Sequence, residues 1–273
     1  MVAVSLYPLL YEIWLSLTDW YLLRSPVPVF QGLGGFERLL NDRIIWESLR
    51  NTIIWTVGTV IIEYILGLLL ALLLNRRTTI NGVLSGLILL PWVVPSIVAA
   101  YTWRWLLDSD FGAVHYILEA VGLAGQRTLL AEPGSALAIL VFISAWKGTP
   151  FMTIALLAAL KAIPQELYEA AAVDGATGFQ RFRYITLPLI RGVSATISLV
   201  LGILAFYSFD LVWILTKGGP SGSTTLVGVY LFRNFFERQE LSYAATIGVA
   251  SLILLFVGVI GYLLLLRRMA TDR

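Results

Sequence analysis

Six stretches of roughly twenty or more mostly apolar residues run through this chain, and a segment of that length and composition is suited to crossing a bilayer. They cover residues 1–21, 51–74, 83–107, 135–160, 193–215 and 244–266. With no water at membrane depth, backbone N–H and C=O groups must bond within the segment, so such stretches fold as helices. The expected fold is all-α: a polytopic membrane protein of about six transmembrane helices. They form one transmembrane domain over 1–273, with its core at about 48–266. Composition agrees, since 58% of the 273 residues are hydrophobic and 13% are charged, against about 25% charged in a soluble domain. A signal peptide would open on a basic region and close on a small-residue cleavage site; residues 1–21 have neither.

What the chain lacks narrows its function. A net charge of +2 offers no broad basic face for nucleic acid. There is no cysteine and one histidine, His115, so thiol chemistry, iron–sulfur clusters and histidine-built metal sites lack their parts. No Gly-x-x-x-x-Gly-Lys-Ser/Thr phosphate loop occurs, and the glycines at 218–222 are followed by no lysine. The chain is therefore not expected to hydrolyse ATP.

Lysine and arginine set the expected orientation. They are roughly twice as dense in 75–82, 161–192 and 267–273 (Arg76, Arg77, Lys161, Arg181, Arg183, Arg191, Arg267, Arg268 and Arg273) as in the alternate connections. That places both termini in the cytoplasm.

One cytoplasmic segment, 161–190, is too polar to span and too structured to be a linker. Pro164 suits a first helical turn, where its missing N–H costs nothing. Glu166 and Glu169 favour a helix N-terminus, and QELYEAAAV has high helix propensity. Asp174-Gly175 is a stop signal. A second helical stretch at about 176–184 follows, and Pro188 opens the next span. The chemistry fits either a hairpin covering the bundle end or a helix pair presented to another protein through Ala170, Ala171 and Ala172.

The spacing favours the second. Glu169-Ala170-Ala171, three residues, Gly175, nine residues, Ile185, one residue and Leu187-Pro188 resembles the signature of permeases of ATP-binding-cassette importers. LILLPWVVPSIVAAYTWRWLLD, WKGTPFMTIALLAALKAIPQELYEAA and DLVWILTKGGPSGSTTL resemble the members that import sugars and glycerol-3-phosphate, and Gly218-Gly219-Pro220 looks like the larger maltose-permease type. His115 departs from the pattern, which more often holds Asn at that place after Gly112. The resemblance implies a type I importer permease fold in a bacterial inner membrane, with 161–190 as the loop that couples to an ATPase. Glu169, Ala170, Ala171, Gly175, Ile185, Leu187 and Pro188 would carry that coupling. Implied partners are a second homologous permease, two ATPase subunits holding ATP and Mg, an extracytoplasmic solute-binding protein, a sugar and the surrounding lipid. No cofactor is implied on this chain.

Charged groups at membrane depth are costly and mark cavities or partners. Glu12, Glu63, Arg104, Lys147 and Asp210 are the candidates. Arg104 and Lys147 are expected to snorkel from span ends, and Glu63 to bond a neighbouring helix. Asp210, with Tyr207, Ser208 and Trp213, offers hydroxyl partners and an aromatic plane, and is expected to contact solute on one face of the fifth span. Pro91 and Pro95 free carbonyls and can kink the third. Three other readings compete: a polyol or glycerol-3-phosphate importer, an ion-gradient-driven transporter, and a membrane-embedded enzyme. The second usually carries internal repeats and the third clustered nucleophiles; neither is evident in the sequence.

Overall fold

A computed structural model describes residues 2–75, 81–123 and 128–271. Arg76, Arg77, Arg127 and Arg273 lie outside the described residues.

The chain enters through α1 (Val2–Ser16). At about 1.5 Å per residue this helix is about 22 Å long, short of the ~30 Å hydrocarbon core. The span expected over 1–21 therefore ends early, in a small antiparallel ribbon of β1 (Thr18–Asp19) and β2 (Val29–Phe30). α2 (Gly34–Asn41) leads into α3 (Arg43–Leu74), a 32-residue helix. Asp42 caps α3: its side chain accepts from the Ile44 N–H at 2.9 Å. Capping satisfies one of the donors that a helix start leaves open.

The third expected span is not one helix. α4 (Asn81–Val93) and α5 (Ser96–Leu106) meet at an angle of 95° across Val94 and Pro95. Proline removes an N–H and forces its predecessor out of helical geometry, so the break falls where the sequence puts it. α6 (Ala113–Ala120) and a 3₁₀ turn at Leu129–Ala131 connect to α7 (Pro133–Lys161). Then come α8 (Gln165–Val173), α9 (Gly178–Arg181), a π-helical turn at Phe182–Thr186 and α10 (Leu187–Phe206).

Two further expectations are corrected here. The helical stretch after Gly175 and the fifth span are one continuous helix from Gly178 to Phe206, 29 residues long. Pro188 does not begin it. The π turn widens the helix just ahead of that proline, where the ring meets the preceding turn. At its far end the span stops at Phe206, earlier than residue 215. Tyr207 to Phe209 form a turn, and α11 (Asp210–Leu215) starts afresh. Phe209 stacks on Trp213 at 5.5 Å and meets Phe232 at 4.8 Å, an aromatic cluster that stabilises the break against helix continuation.

α12 (Val227–Phe232), a π turn at Arg233–Glu237 and α13 (Leu241–Thr271) complete the chain. Four described helices are long and apolar enough to cross a membrane, and the broken α4–α5 pair makes a fifth. α3 and α7 form the spine. Gly67 meets Met152 and Gly58 meets Val141, so small residues let the backbones approach. Trp55 is fully buried and donates to the Ala205 carbonyl at 3.1 Å, tying α3 to α10. α13 shows apolar side chains outward, including Ile253, Phe256, Val257 and Ile260, as a lipid-facing helix does.

Candidate functional site

A cavity of about 450 Å³ opens in the middle of the bundle, where α3, the α4–α5 break, α7 and the end of α10 converge. Thr59 and Glu63 line it from α3, one turn apart on one face. Trp92 and Ser96 come from the two sides of the break, Ser144, Lys147 and Phe151 from α7, and Ser208 from the turn after α10. The rings of Trp92 and Phe151 lie nearly parallel, 6.2 Å apart. The wall thus combines hydroxyls, one acid, one base and an aromatic face.

Lys147 is not at a span end. It sits in the middle of α7, and its Nζ donates to the Val94 carbonyl at 3.1 Å. The proline break exposes that carbonyl, and the ammonium takes it up. Glu63 is 4% exposed and lies against Gly148, where any side chain on residue 148 would overlap its Oε1. Glu63 Oε2 and Thr59 Oγ1 are both buried without a hydrogen-bond partner. Such atoms are uncommon in native folds, and each calls for a physical account.

Of the four residues expected at a solute site, Ser208 lines this cavity. Tyr207 is half exposed and Asp210 begins α11; Trp213 packs against Phe209 and Phe232. The break at 207–209 removes the shared helical face that grouped them. From sequence, Glu63 is expected to bond a neighbouring helix and Lys147 to snorkel from a span end; the structure instead puts both on the cavity wall. Their one usable signal was charge deep in an apolar helix, with glycine next to Lys147 and Thr59 one turn before Glu63.

The second element lies outside the bundle. α8 is capped by no side chain, but Gln165 Nε2 donates to Glu169 Oε1 at 2.8 Å, one turn along. Gly175 makes the turn with φ +77, a region open to glycine at little cost. Thr177 and Gln180 then form a reciprocal capping box at the start of α9. Tyr168 Oη and Thr186 Oγ1 lie 2.9 Å apart, holding α8 against the π turn. Glu169 and Ala170 are exposed and Ala171 is half-buried; Ile185, Leu187 and Pro188 are half-buried where the helix re-enters the bundle. Leu167, Val173, Phe179 and Tyr184 are exposed on this element, Val173 to 89%. Exposed apolar side chains of this kind are where a chain meets another protein or a membrane surface.

Residues 63–271 match the model of the family described as "binding-protein-dependent transport system inner membrane component". The trehalose/maltose transport system permease protein of Thermococcus litoralis is 39% identical over 238 residues, 87% of this chain and 80% of that protein. The trehalose transport system permease protein of Mycobacterium tuberculosis is 33% identical over 249 residues, 91% of this chain and 79% of that one. Among solved structures, a chain of a bacterial alginate ABC transporter, in complex with an alginate pentasaccharide-bound periplasmic protein, superposes with a TM-score of 0.78. The two are 23% identical over 87% of this chain and 83% of the other.

Proposed function

Because the chain belongs to the family of binding-protein-dependent transport system inner membrane components, we propose that it is the permease subunit of an ATP-binding-cassette importer for a sugar. The relatives named for trehalose and maltose transport support the solute class. The observation that carries the reading is the cavity between α3, the α4–α5 break, α7 and α10. Sugar hydroxyls need hydrogen-bonding partners on several sides, and the apolar face of a sugar ring packs on an aromatic plane. Thr59, Ser96, Ser144 and Ser208 supply the first, Trp92 and Phe151 the second. Ser208 is the one of the four residues expected at a solute site that lines the cavity; Tyr207, Asp210 and Trp213 lie in the turn after α10 and in α11. A glycerol-phosphate site would want several basic groups, and among the described residues Lys147 is the one basic residue lining this cavity.

The α8–α9 hairpin is the coupling device in this reading. Two ATPase subunits, carrying ATP and Mg, close beneath this chain and a second homologous permease. Glu169 pairs with a basic group of the ATPase, and the exposed Leu167, Val173 and Phe179 seat in its groove. The continuous helix from Gly178 to Phe206 carries the displacement to the cavity, which opens alternately to each side as a two-state switch. Both termini and the hairpin face the cytoplasm, and an extracytoplasmic binding protein delivers the solute.

Glu169→Ala tests this. The variant should insert and assemble normally, because Glu169 is exposed, yet lose sugar uptake by about tenfold or more, the scale of one charged interface contact. Co-purification with the ATPase subunits and uptake into proteoliposomes report the two properties. Unchanged uptake, or an ATPase that never co-purifies with the wild type, would remove the coupling role.

A further inference from the structure

The one histidine of the chain, His115, lines a second cavity of about 420 Å³ that shares no residue with the first. This cavity is built from the turn between α5 and α6, with Ser109, Asp110 and Phe111, and from α6 itself, with His115, Tyr116 and Glu119. Gly112 closes the turn. Its amide donates to the Asp108 carbonyl at 3.0 Å, and any side chain at 112 would run into that carbonyl and the Leu106 carbonyl. Asp110 is thereby held beside the helix that carries His115 and Glu119, which lie one turn apart. His115 is 2% exposed, yet its Nδ1 has no hydrogen-bond partner. A buried polar atom left open calls for a physical account.

The charge around that atom is one-sided. Residues 107–120 hold Asp108, Asp110 and Glu119 and no lysine or arginine. Asp110 and Glu119 are exposed and enter no ion pair among the described residues, and neither does Arg104, one turn before Asp108. Phe111, Tyr116 and Ile117 are exposed around the opening. No group of three acidic or histidine side chains among the described residues is placed to hold a metal ion. The arrangement suits a larger cation, with several donors spread over a flat group that can lie on an aromatic ring.

We propose that this cavity receives an arginine side chain of the extracytoplasmic solute-binding protein. A guanidinium presents five N–H donors in a planar fork. One donates to His115 Nδ1, which accepts when the ring carries its proton on Nε2. Others donate to the Asp110 and Glu119 carboxylates as charge-assisted bonds. The flat face of the group lies on Tyr116 or Phe111, whose ring faces attract a cation. On the orientation proposed above, the connection from α5 to α7 faces the outside, where that partner arrives. The carboxylates at the opening also steer its approach. The inference rests on the importer reading and names one contact by which the binding protein is recognised.

Two measurements test it. The full chain, purified in detergent with a histidine-free affinity tag and labelled with 15N-histidine, shows a single imidazole. N-acetyl-arginine methylamide should shift the Nδ1 resonance saturably, while the citrulline counterpart, similar in shape but uncharged, should not. Asp110→Asn and Glu119→Gln, both at exposed positions, should each weaken that response about fivefold, the scale of one exposed charge pair. The second measurement follows sugar uptake into proteoliposomes holding the permease–ATPase assembly, against the concentration of the solute-binding protein of the same transport system. Glu119→Lys should raise the half-saturating concentration about tenfold and leave the maximal rate unchanged. Added salt should narrow that gap. A merely structural role would lower yield or maximal rate instead of producing this split. An equal response to the arginine and citrulline probes, or none to either, overturns the proposal. So does a Glu119→Lys assembly that saturates at the wild-type concentration, and in both cases the importer reading stands. If the binding protein supports no uptake by the wild type, the importer reading itself fails and takes this contact with it.

Discussion

Asp42 concentrates several tasks in one side chain. It caps α3 through the Ile44 amide, and its Oδ2 accepts from Tyr230 Oη and Tyr243 Oη, both at 2.5 Å. The carboxylate thereby joins α3, α12 and α13 at one end of the bundle. Beside it Arg38 lies over the Tyr243 ring at 3.9 Å and pairs with Glu240 at 2.6 Å. Partial burial by itself would raise the Asp42 pKa, but the tyrosine hydroxyls and the Ile44 and Ile45 amides outweigh it and hold the carboxyl below its ordinary range. A lowered folded-state pKa means that the stabilisation is complete above the unfolded value of about 3.9 and is lost as pH falls through the lower folded value. Asp42→Ala should cost about 1–3 kcal/mol, from a lost cap and two orphaned hydroxyls. Thermal unfolding of the detergent-solubilised assembly should show that deficit at pH 7. It should shrink as the wild type is acidified below pH 4.

At the scale of elements, the α3–α7 pair and the α4–α5 break decide where the cavity is. α3 can hold a carboxyl at mid-membrane because α7 presents Gly148 opposite it, and α1 and α13 repeat the arrangement with Glu12 against Gly248. A glycine facing an acid is thus a packing device used twice. Gly148→Ala should push Glu63 off its seat and separate the helices, costing about 1–3 kcal/mol as overpacking does. Lowered yield of assembled complex and a lower midpoint of unfolding would report it. Gly82→Ala should cost nothing in the same assay and add up to about 1 kcal/mol of helix propensity, since nothing lies within 4 Å of a side chain built there. That contrast separates a packing glycine from one of 23 that merely occur.

For the whole molecule, the consequential feature is one unbroken lever. The helix from Gly178 to Phe206 starts at the exposed hairpin and ends at the cavity. Two alanines inserted after Gly192 would rotate its far half by about 200°. The hairpin would keep its exposed face, while Leu201, Leu204 and Ala205 would turn away from the cavity. Nucleotide hydrolysis by the assembly should persist and sugar uptake should fall to background. Uptake at wild-type levels would show that the displacement travels by another route. The loop after α11 is part of the same frame. Thr225 Oγ1 donates to the Gly218 carbonyl at 2.9 Å, and Asn51 Nδ2 reaches the Thr225 carbonyl at 3.3 Å, so the Gly218-Gly219-Pro220 turn is bonded back to α3.

Membrane class, helical fold and the exposed hairpin were legible in the residues alone, because each follows from local properties: apolar runs of sufficient length, proline and glycine at the breaks, acidic residues at a helix start. The spacing from Glu169 to Pro188 made the family legible too. The site was not, since a cavity is a relation between segments distant in the chain. Nothing near Glu63 in sequence tells that Gly148 faces it, and nothing near Lys147 tells that Val94 will offer a carbonyl. The fifth span misled for the same reason: residues 193–215 read as one apolar helix. Only the packing of Phe209 against Trp213 and Phe232 ends that helix at Phe206 and turns Ser208, but not Tyr207, Asp210 or Trp213, into the cavity. Hydropathy is a property of each residue and survives in a one-dimensional reading. The pairing of charges, aromatic rings and small residues across helices exists only once the backbones are brought together.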